Sequence, residues 1–352
     1  MDLGIFLPTA TAGYIASSSA PHFDLSFDAI LDVTQRAEAL GFASALCMAK
    51  FRGPEGDTDY WESAYEAFTL TGALLARTST IRIFATAGMP SLNPALVARM
   101  GATLDAVAPG RFGINLVTGW NPKEYEQMGV WPGDDYFGYR YEYASEYVRI
   151  LRELWGTGRS DFRGAYFALD DAICSPRPET MPVIVGAASS KSGVAFAAAN
   201  VDVDFMTGLA ADDSARDLAT YRASGQSETT AYLLVMVILG DTDEQAQRLV
   251  DHYNAHSDQG ALAGRKAAGS RNTAAAAAGA AGDTTGGTAA RMMTEVAALS
   301  PGEMWCGSPA TIAAKLRAVR DSGLYAGVML QFDDWTASLD RFGAEVMPLL
   351  AD

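Results

Sequence analysis

The sequence predicts an α/β fold, a TIM (β/α)8 barrel with insertions. Two observations carry that reading. Short apolar runs alternate with helix-period segments along the chain, which is the signature of βα units and a parallel sheet. Eight such units fit into 352 residues with no linker dividing them, so residues 1–352 read as a single barrel domain. The competing arrangement is a doubly wound open sheet. No G-x-G-x-x-G follows the first apolar run, which weakens a dinucleotide-binding version of it.

The elements follow in order. Leu3 to Leu7 is an apolar run ended by Pro8, and residues 9–25 are a loop rich in small residues. Asp24 or Ser26 can cap a helix from Phe27 to Leu40, with Gly41 as its stop. Ala43 to Met48 is a second strand, residues 62–76 a helix, and Ile81 to Ala87 a third strand. Pro94 opens a helix that stops at Pro109-Gly110, and Phe112 to Val117 is strand four. A helix from Tyr141 to Trp155 and a hairpin over 161–172 come next, then strands at Val183–Val185 and Val203–Met206. Each of those two strands is followed by a helix, to Ala199 and over 211–223. Leu233 to Leu239 is strand seven, and Thr242 caps the helix after it. Ser308-Pro309 starts another helix, Gly327 to Gln331 is strand eight, and Trp335 to Leu349 closes the chain as a helix.

Composition bounds the function. The chain is 49% hydrophobic and 19% charged with net charge −16, so its surface repels phosphate backbones and nucleic-acid binding is not expected. Three unpaired-looking cysteines, Cys47, Cys174 and Cys306, fit a reducing cytoplasm. The N-terminus lacks the basic and apolar regions of a signal peptide, and no apolar run is long enough to span a bilayer. His252 and His256 have i,i+4 spacing without a third ligand nearby, so a solvated helix face is expected there and no metal site.

In a barrel the active site is built at the C-terminal ends of the strands. The residues there are Pro8 and Thr9; Met48 to Lys50; Thr86; Asn115, Thr118 and Trp120; Ser189 and Ser190; Thr207; and Gln331 to Asp333. They include no His or Cys nucleophile, no Ser-His-Asp set and no metal cluster. An enzyme built from such neutral polar groups borrows its chemistry from a cofactor. Singly, each is equally a strand-end hydroxyl or a loop-bracing amide. The stretch after strand four, residues 118–141, interleaves Trp120, Tyr125, Trp131, Tyr136, Phe137, Tyr139 and Tyr141 with polar groups; it is either a pocket wall for a flat ligand or a loop packed on its own aromatics. Lys50, Arg52 and Arg140 stand out in an acidic chain as phosphate partners, and GAASSKS at 186–192 offers small residues and hydroxyls at a helix start. Residues 258–290 are almost wholly Ala, Gly, Ser and Thr. They belong to a low-complexity insertion over 258–302, either a lid over the barrel mouth or a tolerated surface insertion.

The strings NLVTGW at 115–120, EYEQMGVWPGDDYF at 124–137 and RYEYASEYVRILRELW at 140–155 resemble the bacterial-luciferase-like flavin monooxygenases, and within them the branch that opens the uracil ring. The resemblance covers nearly the whole chain and is least in 258–302. It implies a luciferase-like TIM barrel, reduced FMN supplied by a separate NAD(P)H:flavin reductase, O2 as co-substrate and a flavin peroxide that cleaves an amide C–N bond. Carried over by position, FMN contacts fall at Ala49, Lys50, Asn115, Glu124, Arg140, Tyr141 and Ser190, and the oxygen pocket at Thr86 and Asn115. Arg140, Tyr141 and Ser190 would then hold the FMN phosphate, and Glu124 a ribityl hydroxyl. The resemblance also implies a homo-oligomer.

Three places depart from that branch. Ser63-Ala64-Tyr65 stands where His-Asn-Leu is expected, Gly88-Met89-Pro90 where a threonine-rich strand end is expected, and Ala188-Ser189 where Gly-Gln is expected. Ser63, Tyr65, Met89 and Trp120 are accordingly the expected substrate-pocket residues. The flavin and oxygen positions match and several substrate-facing ones do not, so the resemblance implies the monooxygenase more firmly than it implies uracil. Tyr65 and Met89 lean towards a more apolar substrate, a sulfone, haloaromatic or amine. The readings from other classes are a deazaflavin-dependent dehydrogenase and a non-catalytic flavin-binding barrel.

Overall fold

The computed structural model describes residues 1–188, 190–207, 211–278, 298 and 303–350. Eight parallel strands close into a barrel. They are β1 (Asp2–Phe6), β2 (Ser44–Cys47), β3 (Arg82–Gly88), β4 (Phe112–Val117), β7 (Val183–Gly186), β8 (Val203–Met206), β9 (Thr230–Leu239) and β11 (Gly327–Phe332), neighbours in that order, with β11 returning to β1. A two-stranded antiparallel hairpin of β5 (Arg159–Ser160) and β6 (Ala172–Ile173) lies outside, where a hairpin is expected. One further strand, β10 (Glu303–Gly307), pairs with the upper half of β9; its short EMWCG run gives no clear apolar pattern in the sequence.

Helices α1 (Phe27–Ala39), α2 (Ala67–Leu75), α3 (Pro94–Val107), α4 (Pro122–Glu126), α5 (Tyr136–Thr157), α6 (Lys191–Asn200), α7 (Ala211–Ala223), α8 (Asp243–Ala255), α9 (Gln259–Ala278), α10 (Pro309–Ser322) and α11 (Ala337–Arg341) connect the strands. Local chemistry sets their starts. Ser26, Thr242 and Ser308 accept backbone N–H groups of Ala29, Gln245 and Thr311 through their side chains, as expected of N-caps. Helix α2 begins at Ala67, five residues later than periodicity suggests. The Glu66 carboxylate accepts the Phe68 and Thr69 N–H groups, and residues 59–64 are held instead by a bridge between Ala10 and Ala64.

One segment differs more deeply from the sequence reading, and a second takes a definite form that the sequence left open. The aromatic stretch after β4 is not one loop. It folds into α4 and the first turns of α5, which starts at Tyr136 because Tyr136 and Phe137 bury completely or nearly so. The low-complexity insertion begins as a 20-residue helix, α9. Alanine is the strongest helix former, and the Asp258 carboxylate accepts the Ala261 N–H at the helix start. Gly264 lets α9 approach the 54–56 loop closely, since a Cβ there would lie 2.7 Å from Pro54. Residues 279–297 and 299–302 of the insertion, and Ser189, lie outside the described residues. The chain end is α11 followed by a π turn at Phe342–Val346 and a 3-10 turn at Met347–Leu350 rather than one α-helix, with Pro348 unable to donate in its last turn.

The barrel interior is layered. Leu46, Phe84, Val185, Phe205 and Met329 form an apolar cluster inside the strands. Gly113 has no side chain there because a Cβ would sit 2.4 Å from the Phe84 ring. Side chains alternate along a strand. Two residues further on, at the strands' C-terminal ends, stand Thr86, Asn115, Thr207 and Gln331, so the floor of the barrel mouth is polar.

Candidate functional site

Above that floor opens a cavity with about 1480 Å³ of empty space, its solvent-facing part included. Its lining brings together Ala49, Lys50, Thr86, Asn115, Trp120, Glu124, Arg140, Tyr141 and Ser190, from β2, β3, β4, α4, α5 and the β7–α6 turn. These are nine of the residues singled out in the sequence. Ser63, Tyr65 and Met89 do not line it. Ser63 and Tyr65 are exposed on the 59–66 loop, where their backbone groups bond Thr11 and Thr9. Met89 is 1% exposed and packs into the outer core. The departures that the sequence shows at these three positions therefore lie outside the cavity lining, while Ala188 is in its wall.

Thr86 and Asn115 are register partners on neighbouring parallel strands, which sets their side chains side by side. Asn115 Nδ2 donates to Thr86 Oγ1 at 3.1 Å. Asn115 Oδ1 is buried without a hydrogen-bond partner. The pair thus presents one unpaired acceptor and one hydroxyl proton towards the cavity.

Lys50 and Glu124 form a buried ion pair, Nζ to Oε1 at 2.5 Å, with side chains 3% and 6% exposed. The ammonium lies between two indoles, 4.7 Å from the Trp61 ring and 4.9 Å from the Trp120 ring. The other Glu124 oxygen accepts the Phe51 N–H. This carboxylate is therefore a fixed counter-charge and hydrogen-bond acceptor.

The third group faces the start of α6. Ser190 caps that helix by accepting the Gly193 N–H, and the Tyr141 hydroxyl lies 3.3 Å from Ser190 Oγ. Arg140, one residue before Tyr141, has no carboxylate partner among the described residues. Its Nη1 reaches Asn272 Oδ1 at 3.4 Å, and its buried Nε bonds nothing. A guanidinium, two hydroxyls and a helix N-terminus are groups that could hold a phosphate-sized anion.

The sequence reading does not pick out several wall residues. Phe6, Tyr14 and Trp61 form an aromatic side, with Tyr14 edge-on to Phe6 at 5.2 Å and to Trp61 at 6.3 Å. Burial, reinforced by Tyr60 and Cys47, holds the Tyr14 phenol well above its ordinary pKa, so it stays protonated and donates to the Leu7 carbonyl. Asn272 enters the wall from α9, with its Nδ2 3.4 Å from the Trp120 carbonyl. Its neighbour Arg271 forks onto Asp134 and reaches Glu126, tying α9 to α4 and to the start of α5. The pair of polar residues Arg271-Asn272 in an alanine-rich run was the available signal.

Among the described residues no helix is long and apolar enough to cross a membrane, and no group of three or more His, Cys, Asp or Glu is placed to hold a metal ion.

Comparison with known proteins agrees with this architecture. The family profile described as "Luciferase-like monooxygenase" matches residues 1–326. The chain is 40% identical over 360 residues to the pyrimidine monooxygenase RutA of Klebsiella pneumoniae (strain 342), covering 99% of this chain and 96% of that one. It is also 40% identical over 356 residues to the RutA of Methylorubrum extorquens (strain PA1), covering 99% and 94%. Among solved structures, riboflavin lyase RcaE with modified FMN and riboflavin superposes with a TM-score of 0.81 at 18% identity, covering 99% of this chain and 91% of that one. The EDTA monooxygenase EmoA from Chelativorans sp. BNC1 gives 0.78 at 18%, covering 99% and 93%. At such identities these two structures speak to the fold alone. With the profile and full-length relatives in agreement, the chain belongs to the luciferase-like monooxygenase family.

Proposed function

We propose that the protein is a flavin-dependent pyrimidine monooxygenase that uses reduced FMN and O2 to cleave an amide C–N bond of a pyrimidine-like or related small planar ring. The observation that carries this is the cavity itself: an anion site at Arg140, Tyr141 and Ser190 opens into the same space as the neutral Thr86–Asn115 pair, between aromatic walls. The substrate class comes from the full-length pyrimidine monooxygenase relatives.

The residues present fit FMN. The buried Nε of Arg140 and Oδ1 of Asn115 have no partner among the described residues, and each such atom costs about 1–3 kcal/mol unless a ligand pairs it. Arg140, Tyr141, Ser190 and the α6 N-terminus would hold the phosphate. Ala49, Lys50 and Glu124 would line the ribityl chain, with Glu124 still able to accept a hydroxyl besides its present partners. When bound, reduced flavin supplies the electrons that activate dioxygen. The Thr86 hydroxyl and Asn115 amide orient oxygen and polarise it, and Phe6, Tyr14, Trp61 and Trp120 keep water away from it. Helix α9 serves as the lid, since it brings Asn272 to the cavity wall while Arg271 anchors it to Glu126 and Asp134. A separate NAD(P)H:flavin reductase would supply the reduced cofactor, and self-association of the barrel follows from the family resemblance.

The test is turnover of uracil, thymine and their ring analogues with a flavin reductase, FMN, NADH and 18O2. One labelled oxygen atom is expected in a ring-opened product. Consumption of no ring beyond the reductase-only control would remove the proposed function.

A further inference from the structure

In the polar layer at the barrel floor, Gln331 is used by neither the flavin nor the oxygen assignment. Gln331 lies on β11, two positions after Met329, so it shares the inward face that Met329 uses to join the apolar cluster. It lines the cavity, is 1% exposed, and its Oε1 has no hydrogen-bond partner. None is recorded for its Nε2 either, so the carboxamide is unpaired among the described residues. Its β9 neighbour in register is the apolar Met236, which can offer it no strong bond. For packing alone a Met or Leu would serve better there, because an unpaired buried amide is destabilising.

The position limits what it can meet. The anion site belongs to α5 and the β7–α6 turn, and the oxygen pair to β3 and β4. Strand β11 lies on the other side of β1, whose Phe6 is also in the cavity wall. Gln331 is therefore a polar head among flat apolar walls. A carboxamide presents one acceptor and donors side by side, the complement of an adjacent N–H and C=O in a ring.

We propose that Gln331 recognises the cis-amide edge of the substrate ring and so selects lactams over rings that lack the N–H. This rests on the pyrimidine reading of the site. The flavin ring carries a cis-amide edge of its own, so the measurement must separate the two ligands.

Four quantities are compared for wild type and Gln331→Met: kcat and KM for uracil and for 1,3-dimethyluracil, the dissociation constant of FMN, and the melting temperature. Loss of the two neutral hydrogen bonds of that edge is worth about 10- to 100-fold in kcat/KM for uracil, carried mainly by KM. The preference for uracil over its dimethyl analogue should shrink by a similar factor, FMN affinity should stay within about 2-fold, and the melting temperature should hold or rise. Gln331→Glu, which keeps the shape but loses the N–H donors, should also lose uracil selectivity. Equal uracil preference in Gln331→Met and wild type overturns the proposal. Weakened FMN binding in step with activity assigns Gln331 to the flavin and overturns it as well, and a lowered melting temperature with unchanged selectivity makes it structural. If wild type binds FMN yet consumes no ring at all, the pyrimidine function has failed, and the Gln331 assignment falls with it.

Discussion

Replacing Glu124 by Gln tests the electrostatics of the cavity wall. The substitution keeps an oxygen for the Phe51 N–H but removes the counter-charge 2.5 Å from Lys50 Nζ. Leaving one charge of a buried pair unmatched costs about 3–5 kcal/mol. Two effects soften this. The indoles of Trp61 and Trp120 stay within 5 Å of the ammonium, each worth about 0.5–1 kcal/mol, and the cavity lets water approach. The net expectation is a loss of about 2–4 kcal/mol. With an unfolding entropy of about 2.1 cal/mol/K per residue, a chain of 352 residues should melt about 3–5 °C lower. The double variant Lys50→Met with Glu124→Gln carries no unmatched charge and should recover most of that loss, giving a coupling of about 2 kcal/mol or more in the cycle. Thermal unfolding of the four proteins, repeated at high salt, is the assay. A buried pair is little screened, so the coupling should persist in salt. A Glu124→Gln protein that melts with wild type, or single effects that simply add, would show that water already screens the pair and would refute this account.

Three further outcomes follow from the same geometry. Arg140→Ala should weaken FMN binding by about 1.5–3 kcal/mol, the worth of a charged hydrogen bond, read by flavin fluorescence titration; unchanged affinity would remove Arg140 from the anion site. Thr86→Val removes the hydroxyl that receives Asn115 Nδ2 while keeping the shape, so it should lower oxygen-dependent turnover well beyond any change in FMN affinity; equal losses would contradict the oxygen role. Asp258 is buried, which raises its pKa, but the N–H groups of Ala261 and Thr58 and the Thr58 hydroxyl outweigh that and hold it below the ordinary carboxylate value. A depressed folded pKa contributes stability that is complete above the unfolded value of about 4 and is lost as pH falls through the folded value. Limited proteolysis should therefore cut near the start of α9 more readily below about pH 4, and Asp258→Asn should show no such acid step.

The barrel was legible because its strands are short, apolar and regularly interrupted by caps that act locally, as Ser26, Thr242 and Ser308 do. Strand-end residues were legible for the same reason: once the strands are placed, Thr86, Asn115 and Gln331 must stand at one end. Local signals failed where distant parts of the chain decide. Nothing near Tyr65 or Met89 tells whether a side chain faces the cavity, because the turn at 59–66 is set by Ala10 and Thr11 many residues away. Composition left α9 undecided between a lid and a surface insertion, since an Ala- and Gly-rich run does not tell which surface it will pack on, here the 54–56 loop. Asn272 meets Trp120 and Arg140 only across 152 and 132 residues of sequence.

Strand β9 has ten residues and carries two neighbours in succession on one side. Its first part pairs with β8 at Thr230–Leu233, and its last part with β10 at Val235–Leu239. The chain leaves β9 for α8 and α9 and comes back to the same strand through β10, so departure and return are spliced to a single rod. The place of β10 is therefore set by the strand that the chain has just left, and the eight-stranded wall, in which β9 pairs with β8 and β11, is complete without it.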